Sequence, residues 1–147
     1  MILKYKKFIF CLIGGIILLS CSYNIYQYNR IRSYEERQRD IVRSNIEAFV
    51  GLGGSIEDEI VYAKQYGNIV TAREAYLTLS RNKGIKSDEK NSSLSLLLLR
   101  IKLLMINDKQ KFNEVFSETE TSELMYKILD NFEDSDSIRK VYELIED

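Results

Sequence analysis

The chain contains no histidine, no proline and no tryptophan. Without histidine there is no Ser-His-Asp or Cys-His catalytic arrangement, and the commonest protein ligand for metal ions is missing. Cysteine is scarce: the two copies are Cys11 and Cys21, and none follows residue 21. No disulfide can brace the rest of the chain, which therefore suits any redox compartment. Nor is there a surplus of charge of one sign. Twenty-one bases against 22 acids leave a net charge of -1, which argues against a dedicated nucleic-acid binder. What is present is 45% hydrophobic and 29% charged, a balance that supports a packed core and opposes wholesale disorder. A length of 147 residues suits one small domain plus a tail. Eighteen isoleucines against four alanines point to a bacterial, AT-rich genome.

The N-terminus reads as a membrane-targeting segment. Lys4, Lys6 and Lys7 precede Phe8–Leu19, twelve residues without a polar side chain. Basic then apolar is the order of an export signal. Twelve helical residues rise about 18 Å, short of the roughly 30 Å of hydrocarbon in a bilayer. Two fates follow. Leu18-Leu19-Ser20-Cys21 resembles the bacterial lipoprotein signal: Leu18, Ser20 and Cys21 match, while Leu19 is larger than the usual residue at its place. That resemblance covers residues 1–21 and implies cleavage and lipidation at Cys21. Alternatively, extension through Tyr26 gives nineteen residues of uncleaved signal anchor, with Tyr23, Tyr26 and Tyr28 placed like an interfacial aromatic belt. Residues 1–27 are read as a membrane anchor or lipoprotein signal. The anchor is favoured, because a tyrosine-rich helical pattern follows Cys21 where lipoproteins carry a loose polar tether. Arg30, Arg32, Arg37 and Arg39 follow the segment, so charge counting alone leaves the orientation open. The export order places the rest of the chain outside the cytoplasm.

Residues 28–50 read as a helical stalk. They hold five arginines and four acids, with Glu35 and Arg39 at a supporting i,i+4 distance. Ile31, Tyr34, Ile41, Val42, Ile46 and Phe49 fall mostly on one stripe. For 41–50 a second reading is favoured, a surface helix packing Ile41, Ile46 and Phe49 on the main domain. Gly51-Leu52-Gly53-Gly54 then marks a turn or hinge over 51–54. It is not a phosphate loop, since no Lys-Ser/Thr follows it.

Residues 55–147 read as helices throughout. Ser55, with Asp58 three residues on, predicts a helix start. Ile56, Ile60, Ala63 and Tyr66 are its expected apolar face, and Gly67 its expected stop. Ile69, Ala72, Tyr76 and Leu79 predict a second helix ending near Gly84, and Ser87, Asp88 and Glu89 a third start. Ten of the thirteen residues from Leu94 to Ile106 are apolar, which predicts a central buried helix. It is too short and too charged, at Arg100 and Lys102, to span a bilayer. Asn107-Asp108 ends it. Phe112, Val115 and Phe116 mark a fourth helix. Thr121 is the expected cap of a fifth, carrying Leu124, Met125, Ile128, Leu129 and Phe132. Asp134-Ser135-Asp136 turns the chain into a last helix with Ile138, Val141, Tyr142 and Ile145.

Starts at Ser55, Ser87 and Thr121 lie 32 and 34 residues apart, the period of stacked helical hairpins. Within 55–83, Gly67, Ala72 and Tyr76 take the places of the turn glycine, small residue and aromatic of a tetratricopeptide repeat, which that stretch resembles. No proline closes any repeat, and Glu59 and Ile60 stand where the family has a large residue and a glycine. The fold class expected is thus all-α: an N-terminal membrane helix followed by a small helical bundle, the favoured form, or a helical-hairpin array.

Reactive chemistry is sparse. Counted as a calcium loop from Asp134, the sixth and twelfth positions are Arg139 and Ile145, where glycine and glutamate are needed. The acids therefore read as caps and solvated faces, with no cofactor and no metal. Residues 112–147 carry eleven acids and three bases, whereas 1–111 carry eleven acids and eighteen bases. An acidic end turned toward a basic partner is one consequence. The expected function is a non-catalytic, membrane-anchored extracytoplasmic module that binds a protein partner, with homo-oligomerisation open. The alternative is a membrane-tethered ligand sensor or solute-binding accessory, with a pocket lined by Tyr62, Tyr66 and Tyr76.

Overall fold

A computed structural model describes residues 2–82 and 94–146, with side chains described over 12–81 and 94–146. Among these residues the protein is all-α, with helices α1 (Ile2–Val50), α2 (Glu59–Asn82), α3 (Leu94–Asn107), α4 (Lys109–Phe116), α5 (Thr119–Asp130) and α6 (Ser135–Glu146). It divides into two compact units, Met1–Glu36 and Arg37–Asp147.

The first unit is the N-terminal part of α1. Leu12, Ile13, Ile16, Ile17, Leu18 and Leu19 are 47–73% exposed. Tyr23, Ile25, Tyr26 and Tyr28 continue the exposed apolar surface. Arg32 and Glu36, one turn apart, pair at 3.0 Å and support the helix where its sequence becomes polar. Among the described residues no helix is long and apolar enough to cross a membrane.

The second unit is a helical bundle. Its first segment is the end of α1, whose Val42, Ile46 and Phe49 are buried in the core. Spacings of four and three put these three side chains on one face. The packing reading of 41–50 holds for Ile46 and Phe49, and Ile41 is half-buried against the same core. The chain then turns on its glycines. Gly51, Leu52 and Gly53 donate backbone N–H groups to the carbonyls of Glu47, Phe49 and Val50, satisfying the orphan acceptors of the helix end. Gly53 and Gly54 adopt φ of 58° and 62°, the left-handed region that glycine enters without steric cost.

Two expectations about α2 are corrected. The helix starts at Glu59, not at Ser55: the Asp58 carboxylate accepts from the backbone of Ile60 at 2.8 Å and of Val61 at 3.2 Å, which makes Asp58 the cap. It also runs unbroken through Gly67, so residues 59–82 form one helix and the expected hairpin turn is not there. An exposed mid-helix glycine costs only about 1 kcal/mol. Burial of Ile69, Ala72, Ala75, Tyr76 and Leu79 on one face outweighs that. A single helix has a single buried face. Extended back from Ile69, that face passes through Gln65 and leaves Ile60 and Ala63 exposed, contrary to the sequence pattern. The expected helix end near Gly84 and the start at Ser87 lie outside the described residues.

α3 packs against α2, α4 and α6, so it is central as its composition predicts. Leu94, Leu97, Leu98, Ile101 and Met105 are buried. Its opposite side is not fully covered, and Leu103 and Ile106 are 38% and 56% exposed. Asp108 caps α4, accepting from the Lys111 backbone at 2.9 Å. Four rings join α1, α2 and α4: Phe49 lies 6.0 Å from Phe112 and 5.2 Å from Phe116, and Tyr62 stands edge-on to Phe112 at 5.7 Å. α5 begins at Thr119 after Glu118, two residues before the expected cap. Thr121 is fully buried within its first turn. Asp134 caps α6 through Ser137, whose backbone N–H and hydroxyl donate to its two carboxylate oxygens at 3.2 and 2.7 Å. Ile138, Val141 and Ile145 turn inward as their spacing predicts.

Candidate functional site

The three tyrosines singled out in the sequence all stand on α2, but they serve different surroundings. Tyr62 and Tyr76 are fourteen positions apart, which on one helix is about 21 Å, so they cannot line one small pocket. The Tyr62 hydroxyl donates to the Met105 carbonyl of α3, and its ring lies under the Lys109 ammonium at 4.7 Å. Burial raises the pKa of Tyr62. Tyr66 is half-buried, with the Lys102 ammonium 5.9 Å from its ring centre. Both rings cover the α2–α3 seam.

Tyr76 lines a cavity. It has a volume of about 310 Å³ and is bounded by Arg39, Tyr76, Leu79, Ser80, Asn131, Phe132 and Glu133. Its floor is buried: Tyr76, Leu79 and Ser80 are at most 7% exposed. Its rim is polar and open, with Arg39, Asn131 and Glu133 exposed. Three separate pieces of chain build it: α1 at Arg39, the last turns of α2 and the turn between α5 and α6. That turn is tied down. The Asp134 N–H donates to the Asn131 carbonyl at 3.0 Å, and the Glu133 N–H donates to Asn131 Oδ1 at 3.1 Å. Phe132 stands edge-on to Tyr76, with ring centres 6.2 Å apart, and Ser80 Oγ donates to the Tyr76 carbonyl at 2.9 Å. Burial pushes the Tyr76 phenol above its ordinary pKa; its hydrogen bond with Ser80 opposes this, Glu133 adds to it and Arg39 opposes it. The phenol is therefore neutral at physiological pH.

The sequence carried little warning of this constellation. Arg39 is one of five arginines in a stretch that reads as a stalk, and Phe132, expected on the fifth helix with the turn at Asp134-Ser135-Asp136, lies instead beyond the end of α5 at Asp130. Nothing in local spacing links residue 39 to residues 76–80 and 131–133.

Cys21, on the first unit, is a free and exposed thiol. Among the described residues no three or more acidic or cysteine side chains gather in a way that could hold a metal ion. The acidic end is mostly solvated. Arg139 is engaged with its own helix, 2.8 Å from Glu143 and 3.8 Å from Asp136. Arg100 of α3 reaches Glu146 at 3.3 Å. A shallow groove of about 440 Å³ beside α4 is bordered by Asp108, Glu114 and Glu118, with Lys111 among them. No family model, no curated protein and no solved structure matches this chain.

Proposed function

We propose that this chain is a membrane-tethered, non-catalytic helical module, its bundle held outside the cytoplasm and working by contact with a protein partner. The observation that carries the reading is the apolar surface of α1. From Leu12 to Leu19 every large side chain is exposed, and soluble surfaces seldom display contiguous apolar patches beyond a few hundred Å². Lys4, Lys6 and Lys7 before this run, and the tyrosines after it, fit the charge and aromatic order of a bilayer-inserted leader. The run is short for a full span, so the tether is either this leader with its tyrosine flank or an acyl chain on Cys21. Each buried methylene of such a chain contributes about 0.8 kcal/mol.

Fractionation of cells making the full chain, followed by intact mass determination, tests this. The product should sediment with membranes and need detergent for release. A mass starting at Met1 identifies the uncleaved anchor, and one starting at an acylated Cys21 identifies the lipoprotein form. A freely water-soluble monomer overturns the proposal. A thiol introduced at Glu120→Cys in a Cys21→Ser background should react with an impermeant reagent in intact cells. Labelling only after lysis would reverse the orientation. Contact through the acidic α4–α6 surface should weaken as salt rises, since exposed charges are screened within about 10 Å at 0.1 M.

A second reading, a tethered ligand sensor, is favoured by one observation. The cavity at Tyr76 reaches the lower end, roughly 300 Å³, of the range typical of small-molecule sites.

A further inference from the structure

We propose that Arg30 and Arg32 hold the phosphates of anionic phospholipids beside the leader, so that the tether selects an anionic bilayer. The inference rests on the tether reading with the leader uncleaved, and it adds the lipid class. The first acid of the chain is Glu35, and every charged side chain before it is positive: Lys4, Lys6 and Lys7, then Arg30 and Arg32. Between Lys7 and Arg30 lie 22 residues without a charge, all within α1. As helix they rise about 33 Å, close to the roughly 30 Å of hydrocarbon in a bilayer. Arg30 and Arg32 then fall in the head-group layer, which brings the total thickness to about 40–45 Å. The exposed Tyr23, Tyr26 and Tyr28 lead up to them, as interfacial aromatic residues do. Beyond Tyr34, Glu35, Glu36 and Asp40 are interleaved with Arg37, Arg39 and Arg43, so the purely cationic stretch ends with Arg32.

Both guanidinium groups have donors to give. Arg30 is exposed and makes no ion pair among the described residues. Arg32 donates from Nε to Glu36 at 3.0 Å with its side chain 67% exposed, which leaves four of its five N–H groups. The guanidinium fork matches two oxygens of a phosphate. Placement around the helix identifies the occupant. Residues two apart on a helix are about 200° apart, so Arg30 and Arg32 lie on opposite sides of α1. The four successive residues Ile16, Ile17, Leu18 and Leu19 are 55–73% exposed, and at about 100° per residue they carry the apolar surface right round the helix. A protein surface or a free phosphate ion meets one side of a helix. A bilayer surrounds it, apolar at the level of the leucines and anionic at the level of the arginines.

The test dilutes the full chain from mild detergent into vesicles of phosphatidylcholine, alone or mixed in equal parts with phosphatidylglycerol, and floats the vesicles. An anionic surface favours binding by about fivefold for each Lys or Arg beside it, so the mixed vesicles should bind the chain at least tenfold more tightly. The double variant Arg30→Gln, Arg32→Gln should bind the mixed vesicles at least tenfold more weakly than the parent and the neutral ones equally well; tenfold corresponds to about 1.4 kcal/mol. Lys140→Gln, at an exposed cation of α6, should change neither. Equal binding of the parent to both vesicles, or an unchanged anionic preference in the double variant, overturns the inference and leaves the tether reading standing. Replacing chloride by inorganic phosphate at the same ionic strength should leave flotation unchanged; release of the arginine-dependent part would show a free-phosphate site instead. A product whose mass starts at an acylated Cys21 also overturns the inference, because the uncharged segment is then cut in two. A chain that floats with neither vesicle overturns the tether reading as well.

Discussion

A methyl group added at Gly54 would stand 2.8 Å from the Phe116 carbonyl carbon and 2.9 Å from the Ser117 nitrogen, both backbone atoms that cannot swing aside. The position also has φ of 62°. Gly54→Ala should therefore destabilise the bundle by about 2 kcal/mol or more. At Gly67 an added methyl meets nothing within 4 Å. Gly67→Ala should raise stability by about 1 kcal/mol, because alanine is the better helix former. Thermal or urea unfolding of the two variants compares them directly, and a loss at Gly67 would contradict the unbroken α2. Gln65 is fully buried, and neither end of its amide finds a hydrogen-bond partner among the described residues. Gln65→Met removes the desolvated amide at similar length, and a gain of about 1 kcal/mol in unfolding free energy is expected.

Asp134 shows how one side chain sets a pH dependence. The Ser137 hydroxyl and backbone N–H hold its carboxyl below the usual carboxylate range. A depressed folded pKa means stability that is complete above the unfolded value of about 3.9 and is lost as the pH falls through the folded value. Asp134→Asn should thus be less stable than the parent at neutral pH, and the difference should shrink on acidification below about pH 4. A gap in urea midpoint that stays constant down to pH 2 would show that Ser137 does not stabilise the ionised form.

Helix starts were the least legible feature among the elements. Ser55 and Thr121 have the right chemistry for caps, yet Asp58 caps α2, and α5 starts after Glu118, whose side chain makes no cap hydrogen bond. A cap must have non-helical backbone while its oxygen reaches the N–H groups two or three residues on. Sequence shows the oxygen and not the backbone. Asp58→Ala should cost about 1 kcal/mol, typical of a lost cap, whereas Ser55→Ala should stay within about 0.5 kcal/mol of the parent. Equal effects would place the cap elsewhere. The faces of α5 and α6 were readable because Leu124, Met125 and Ile128, and Ile138, Val141 and Ile145, repeat without a polar interruption. The face of α2 was not, because Gln65 stands in its buried line and Ile60 outside it. Local periodicity therefore pointed to the wrong stripe ahead of Gly67.

For the molecule as a whole, the proposed tether makes a simple claim about location. A lysine at the centre of a membrane-inserted helix costs about 2.5–3.5 kcal/mol. Ile17→Lys should therefore move a measurable fraction of the protein from membrane to soluble fractions, while Tyr34→Lys, beyond the apolar run, should not. If the two variants fractionate alike, the apolar surface of α1 is not a membrane contact. The bundle depends on different residues, with Val42, Ile46 and Phe49 filling its core and Phe49 meeting Phe112 and Phe116.

Composition and short-range periodicity were enough to establish an all-helical chain, a central apolar α3 and inward faces for α4 to α6, because each rests on neighbours within one or two turns. The packing of α1 from Val42 onward was also foreshadowed by its stripe. The continuity of α2, the buried Gln65 and the cavity shared by residues 39, 76–80 and 131–133 emerged only once the helices were packed. Each depends on groups distant in the chain. A glycine is tolerated inside a helix when the opposite face is buried, and a cavity is what remains where separate pieces of chain fail to fill the space between them. Neither condition can be evaluated one segment at a time.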